Sequence, residues 1–253
     1  MSQALERGLD VLEVLAVKGA ARVSDVMTSL GVSRATAFRI MVALETRGYV
    51  EHLPDSPLWK LGPAVAELAA TLDSTFITQI AAPALADLRA TSLETVNLAL
   101  LQRNRMVWAA SVPSAHSLRH AVTVGDTVPV HTTAVGKALL TALPRDEWAR
   151  LLGPEPFPAV TPHSRRTYDA VARDVEDGLR RGWSLDNEES ELSGICVAAP
   201  IVGRDGRPVA AISVSSVAGR LPDDERDKVG DSVVRWCRQI SDELAKMRSQ
   251  PAS

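Results

Sequence analysis

The 253-residue chain has only two cysteines, Cys196 and Cys237, too few for a disulfide framework in a chain of this size. It lacks any apolar run approaching the roughly 18 residues of a membrane span, because Arg, Asp, Glu or Lys interrupts every candidate. Its first residues, MSQALERGLD, lack the basic start and apolar core of a signal peptide, so the expected location is cytoplasmic, with no membrane partner. There is no G-x-S-x-G elbow, no Walker loop and no dinucleotide fingerprint, which counts against an enzyme. An excess of positive charge is missing too: the formal net charge is −3. What remains is ordinary. Hydrophobic content of 45% and charged content of 23% exclude wholesale disorder, and the length suits two domains at roughly 100–200 residues each.

The most informative stretch runs over 23–49, VSDVMTSLGVSRATAFRIMVALETRGY. Ser24 is placed to cap a first helix whose apolar face carries Val26, Met27 and Leu30. Gly31-Val32 makes a turn. Ser33 then caps a second helix with Ala37, Ile40, Met41 and Leu44 inward, and Gly48 ends it. Two short helices at this spacing form a helix-turn-helix, whose second helix can enter the major groove of DNA.

With those four residues inward, Arg34, Thr36 and Arg39 point outward. Arg suits guanine, while Ser33 and Thr36 suit phosphate. The candidate contacts to double-stranded operator DNA are therefore Ser33, Arg34, Thr36 and Arg39. Phe38 is an odd exposed aromatic, free to touch a thymine methyl or tuck against the first helix. Residues 1–62 hold seven basic and seven acidic side chains, so the domain is neutral and should bind weakly as a monomer. A dimer or higher oligomer is expected.

Upstream, Leu5, Leu9, Leu12 and Ala16 form an amphipathic helical stripe expected to pack across the helix-turn-helix. Downstream, Tyr49, Val50 and Leu53, a Pro-Asp-Ser-Pro turn, then Leu58, Trp59 and Leu61 mark a β-hairpin wing. Residues 1–62 are thus expected to form a winged helix-turn-helix domain. PAVAELAATL over 63–72 reads as a linker helix with Val65, Leu68 and Leu72 on one stripe, within a 63–75 connector.

Residues 76–253 mix helices (77–91, 133–143, 145–152, 167–181, 222–248) with strands (95–101, 106–112, 120–124, 183–186, 195–202, 209–217). Arg204-Asp205-Gly206-Arg207 is a hairpin turn. Consecutive strands with tight turns, flanked by helices, indicate an antiparallel sheet in an α+β arrangement. The Pro-rich segment 153–163 reads as an exposed loop.

Three clusters invite chemistry. At 125–140 a helix begins near Thr132 and Thr133, where free N–H groups and the helix dipole favour a carboxylate; Thr133 as a mere cap and Gly136 as a mere packing aid are equally open. Asp186 precedes an apolar strand, while Glu188, Glu189 and Glu191 read as a solvated charge run. Ser213 and Ser215, two apart, share one strand face. Leu118, Val122 and Val128 offer an apolar lining for a small aromatic or short-chain acid. His116 and His120 have the i, i+4 spacing of a zinc pair, but a loop entering a strand separates such rings, and His131 would join only if the fold brings it near. No metal and no cofactor are expected.

The chain resembles the IclR-type transcriptional regulators nearly end to end. The residues that carry this are ALERGLDVLEVLA, LETRGYVE, LWKLGPAVAELA, VGDTVPVHTTAVGKALLTALP, RRGWSLDNEESELSGICVAAPIVGRDGRPVAAISVS and the Arg220-Leu221 pair. The resemblance implies a winged helix, a linker helix and a GAF-like effector-binding and oligomerisation domain. It implies homodimers or homotetramers on operator DNA, more often as repressors of metabolic or catabolic operons, tuned by a small organic or aromatic acid. It also implies that Ala134, Val135, Asp186 and Cys196 line the effector pocket, with Ser213 and Ser215 on the adjoining strand. The wing turn here is shorter than the family's usual one, which bears on wing contacts rather than on the recognition helix. The alternatives are a metabolite-binding enzyme or a scaffold with an accessory winged-helix domain.

Overall fold

The computed structural model describes residues 3–71, 75–102 and 104–246, in two compact units, Met1–Asp73 and Ser74–Ser253. The first contains α1 (Gln3–Lys18), β1 (Ala21–Arg22), α2 (Val23–Leu30), α3 (Arg34–Thr46), β2 (Val50–His52), β3 (Leu58–Leu61) and α4 (Pro63–Thr71). Val11, Leu15, Val26, Ala37, Met41, Val50 and Trp59 form its core. The wing hairpin β2–β3 gains a third antiparallel strand, β1, on its other edge.

Two local expectations change. Ser24 lies inside α2 rather than capping it; the Arg22 N–H donates to the Asp25 carboxylate at 2.8 Å, and Asp25 closes the helix start instead. The stripe expected to pack from α1 is rotated: Val11 and Leu15 are buried, whereas Leu5 and Leu9 are 59% and 50% exposed and Ala16 is exposed. Leu5, Leu9 and Leu12 instead edge an open apolar groove with Ile40 and Leu44. Leu72, the last member of the linker stripe, and the end of the 63–75 connector lie outside the described residues. The turn itself is as expected: Gly31 sits at φ +62, in the left-handed region that glycine tolerates.

The second unit holds α5 (Thr75–Ser92), β4 (Thr95–Gln102), β5 (Arg105–Val112), β6 (Thr127–Val128), α6 (Ala134–Thr141), α7 (Ala149–Leu152), α8 (Tyr168–Arg181), β7 (Ser184–Asn187), β8 (Gly194–Val202), β9 (Pro208–Val217) and α9 (Asp223–Lys246). All strand pairs in its six-stranded sheet, ordered β6-β5-β4-β9-β8-β7, are antiparallel. Residues 247 and 248 of the expected last helix lie outside the described residues.

Alternation along the central strands decides what each face can hold. Val96, Leu98, Ile195, Val197, Ile212 and Val214 face α5 and α9, where Leu85, Leu88, Val233 and Cys237 complete a dense core. The other face carries small or polar residues: Thr95, Asn97 and Ala99, then Cys196 and Ala198, then Ala211, Ser213 and Ser215. Helices α6 and α8 cover part of this face, through Ala138, Leu139, Val171 and Val175. Small side chains leave space beside them.

The expected strand at 120–124 does not form. Its would-be partner edge on β5 is taken by β6 and by bonds between Trp108 and both Gly125 and Asp126, so Val122 and Val124 have β-propensity but no ladder to join. The Pro-rich loop 153–163 is exposed in large part, yet Phe157 is fully buried and stacks near His131 and Tyr168.

Candidate functional sites

On α3 the N-cap Ser33 accepts the Thr36 N–H at 3.3 Å, and the two hydroxyls lie 3.0 Å apart. Arg34 and Arg39 are exposed and Thr36 is half-buried, bordering the groove against α1. Phe38, 51% exposed, does not tuck against the preceding helix. It meets Trp59 of the wing edge-on with ring centroids 6.4 Å apart, and His52 meets the same indole at 4.8 Å. The recognition helix and wing are thereby braced through one buried tryptophan.

In the second unit a cleft of about 360 Å³ opens over the small-residue face of the sheet. Its walls include Trp108, His120, Val122, Thr132, Ala134, Val135, Asp186, Ser190, Cys196, Ser213 and Ser215. Of the expected pocket residues, Val122, Ala134, Val135, Asp186, Cys196, Ser213 and Ser215 converge here. Two do not. Leu118 is 71% exposed on a loop away from the cleft, and Val128, 2% exposed, turns into the core beneath α6. The apolar wall comes instead from Trp108, Val122 and Pro129.

Helix α6 begins at this cleft. Thr133 caps it, accepting the Gly136 N–H at 3.2 Å and donating to the Pro129 carbonyl at 2.6 Å. The N–H groups of Ala134 and Val135, the first two of the helix, have no intrahelical acceptor. Gly136 serves packing: a Cβ there would stand 2.4 Å from the Val130 carbonyl oxygen. Thr132 Oγ1 and Ser213 Oγ, both buried in the cleft wall, have no hydrogen-bond partner. Such groups cost about 1–3 kcal/mol each when left unsatisfied, which makes them places for an occupant's polar atoms.

Asp186 is 1% exposed and already engaged. It accepts the Glu189 N–H at 2.8 Å, the Ser190 N–H at 3.3 Å and the Ser190 hydroxyl, pinning the turn that walls the cleft. Burial raises its pKa, against the opposing Ser190 bond and the Lys137 charge. Burial likewise pushes the Cys196 thiol far up, so it is an inert neutral group.

Glu189 overturns the solvated-run expectation. It is 1% exposed, and its Oε1 lies 2.5 Å from Nζ of Lys137, itself 1% exposed on α6. Lys137 also meets Asp174 of α8 at 2.9 Å, and Arg165 joins Asp174 at 2.9 Å. This buried ion group ties α6, α8 and the 186–190 turn together. A lysine within the otherwise apolar run AVGKALL was the signal for it, since a buried cation demands a carboxylate. The histidines do not converge: His131 bonds the Pro158 carbonyl at 2.9 Å and His120 faces Glu191 at 3.5 Å. Among the described residues no group of three or more His, Cys, Asp or Glu is placed to hold a metal ion. No helix among them is long and apolar enough to cross a membrane.

A winged helix-turn-helix on one unit, and a sheet domain with a polar-walled cleft on the other, define the architecture of a transcriptional regulator. The particular family follows from comparison with known proteins. Residues 69–242 match the family model described as bacterial transcriptional regulator IclR C-terminal, and residues 4–54 match the IclR helix-turn-helix domain. The chain belongs to the IclR family of transcriptional regulators. It is 29% identical to the HTH-type transcriptional repressor AllR of Escherichia coli (strain K12), over 96% of this chain and 90% of that one. The Thermotoga maritima IclR crystal structure superposes with a TM-score of 0.65 at 28% identity, covering 95% of this chain and 98% of that one. An IclR homolog from Microbacterium hydrocarbonoxydans, solved in complex with 4-hydroxybenzoate, shares the fold at a TM-score of 0.59 and 23% identity, covering 96% and 99%. These relatives are regulators, not enzymes.

Proposed function

We propose that this chain is a cytoplasmic, ligand-responsive repressor of a metabolic or catabolic operon, acting as a homodimer or homotetramer. Arg34 and Arg39 read operator DNA, with Ser33 and Thr36 at the helix start toward phosphate. The cleft over the second unit's sheet takes a small organic or aromatic acid. The observation that carries this is the meeting, in one cleft, of the start of α6, whose Ala134 and Val135 N–H groups lack intrahelical acceptors, with the unpartnered hydroxyls of Thr132 and Ser213. Donors at a helix start favour a carboxylate, and Trp108 and Val122 suit an apolar body. The 4-hydroxybenzoate carried by the Microbacterium homologue is a ligand of this size and chemistry.

A ligand shifts DNA binding only by its differential affinity for two conformations. Contact with the start of α6 and with the 186–190 turn changes the disposition of subunits, with α4 as relay, and so the spacing of paired recognition helices on half-sites one or more turns apart. The electrical neutrality of residues 1–62 supports paired action, as do the exposed Leu5 and Leu9.

The test is the double substitution Arg34→Ala with Arg39→Ala. DNA binding should collapse while an acid that raises the melting midpoint of the wild type still does so. Retained DNA binding, or loss of both activities together in a folded variant, contradicts the division of labour.

A further inference from the structure

The sheet beneath the cleft carries a buried polar chain that no sequence motif singled out. The Ser111 hydroxyl on β5 lies 2.7 Å from Asn97 Oδ1 on β4, and Asn97 Nδ2 lies 3.2 Å from Ser215 Oγ on β9. Asn97 is fully buried, and neither it nor Ser111 lines the cleft; Ser215 does. The amide oxygen faces Ser111 and the amide nitrogen faces Ser215. Ser111 therefore donates to the amide oxygen and the amide nitrogen donates to Ser215; hydroxyl-to-oxygen bonds cluster near 2.7–2.8 Å and amide N–H bonds are longer. A serine hydroxyl has one hydrogen. With Asn97 donating to its oxygen, Ser215 must aim that hydrogen away from Asn97, toward Cys196, its register partner on β8, or toward an occupant of the cleft.

The other groups with a fixed direction agree. The N–H groups of Ala134 and Val135 donate. Asp186, the buried carboxylate of the wall, has both oxygens occupied by Glu189 and Ser190 and offers no free acceptor. Thr132 and Ser213, without partners, can serve either way. Among the described residues no Lys or Arg lines the cleft; its one histidine, His120, faces Glu191 through Nε2 and keeps a buried, unpartnered Nδ1. A second negative charge on the occupant would meet no Lys or Arg side chain there.

We propose that Ser111, Asn97 and Ser215 form a relay that sets the hydrogen-bond polarity of the cleft, so that it selects a monocarboxylate over the corresponding neutral carboxamide. Asn97 and Ser111 are positioning residues, acting through Ser215. The proposal rests on the reading of this cleft as the effector site. A carboxamide of the same shape presents N–H groups to the donors at the start of α6 and to Ser215, whereas a carboxylate presents only acceptors there; the other lining carboxylates, Asp126 and Glu191, are exposed.

The experiment uses the full-length protein and calorimetric titration with two matched pairs, benzoate with benzamide and propionate with propionamide. In the wild type the carboxylate of at least one pair should bind roughly ten-fold more tightly than its amide, the scale of one charge-assisted hydrogen bond. Ser111→Ala adds no charge and leaves the cleft wall untouched. It frees the amide to flip, and the carboxylate-to-amide ratio should fall roughly three-fold or more through the carboxylate alone. A merely structural defect weakens both members alike and leaves the ratio unchanged. Asn97→Asp forces Ser215 to donate inward and should abolish or invert the preference; if that variant fails to fold, Ser111→Ala still decides. The proposal is overturned if no carboxylate outbinds its amide in the wild type, or if Ser111→Ala keeps the ratio. Ala134→Trp separates the two levels. Carboxylate binding that survives this plug means the cleft is not the site; binding that is lost, with the Ser111→Ala ratio intact, sinks the relay alone.

Discussion

Lys137 and Glu189 show what a single buried charge demands. Burial pushes the Glu189 carboxyl up to about 7, with the Lys137 charge and hydrogen bond opposing and Asp174 and Asp186 adding to the rise. In the unfolded chain the same group titrates near 4.5. Between those values the folded protein holds a proton that the unfolded chain has released, so stability declines as pH rises across that window. Asp186, raised by burial, acts in the same sense; Asp174, lowered chiefly by Lys137 and Arg165 against its own burial, acts only at more acid pH. Urea midpoints should therefore fall from pH 5 to pH 7.5 in the wild type and flatten in Glu189→Gln. Equal slopes in the two proteins would refute this assignment. Lys137→Met leaves the buried Glu189 without its close cation, with Arg165 still on Asp174, and should cost about 3–5 kcal/mol at pH 8, and less at pH 5, where Glu189 takes up its proton. The sequence alone read Glu189 as part of a solvated run because i, i+1 charges usually mark surface. Only its partner 52 residues away shows otherwise. Leu118 and Val128 failed for a related reason: both are apolar, and hydrophobicity does not say which of two apolar environments a side chain enters.

At the level of elements, the starts of α3 and α6 were legible, while the start of α2 and the strand edges were not. Ser33 and Thr133 cap α3 and α6 as their positions before apolar runs imply. Ser33→Ala should destabilise the first unit by about 1 kcal/mol, seen as a lower melting midpoint. The 120–124 segment has the composition of a strand, but pairing is a property of neighbours, and β6 had taken the edge of β5. The α1 stripe was misplaced by the choice between two adjacent apolar faces, Leu5 with Leu9 or Val11 with Leu15, which periodicity alone does not rank. Gly136→Ala tests the packing of α6 directly. Its Cβ meets the Val130 carbonyl oxygen at 2.4 Å, backbone against backbone, so one of them must move. The expected cost is about 1–3 kcal/mol in thermal unfolding, with weaker carboxylate binding because the helix start shifts.

For the whole molecule, the family was readable from motifs at 4–51 and 124–215, because those motifs carry caps, turns and a buried lysine of this fold. The location of the cleft was readable from Ala134, Asp186 and Ser215; its polarity was not, since Ser111 and Asn97 lie on strands with no distinguishing pattern. Because Arg34 and Arg39 are proposed to read base edges and Ser33 and Thr36 to face phosphate, the log–log salt slope of DNA binding should stay nearly unchanged in the Arg34→Ala, Arg39→Ala variant where residual binding is measurable, while sequence preference falls. A slope shallower by about two contacts would place those arginines on phosphates instead.

In the proposed function, occupancy of the second unit's cleft governs DNA binding by the first. The most direct measurement is fluorescence anisotropy of a DNA fragment selected from a random pool by the full-length protein. It is titrated with and without the tightest-binding carboxylate, for wild type and for Ala134→Trp. The DNA dissociation constant should change about ten-fold in the wild type, within the usual range of allosteric coupling, and not at all in the plugged variant, whose ligand-free DNA affinity stays the same. An equal shift in both proteins, or no shift in the wild type with the ligand bound, would contradict it.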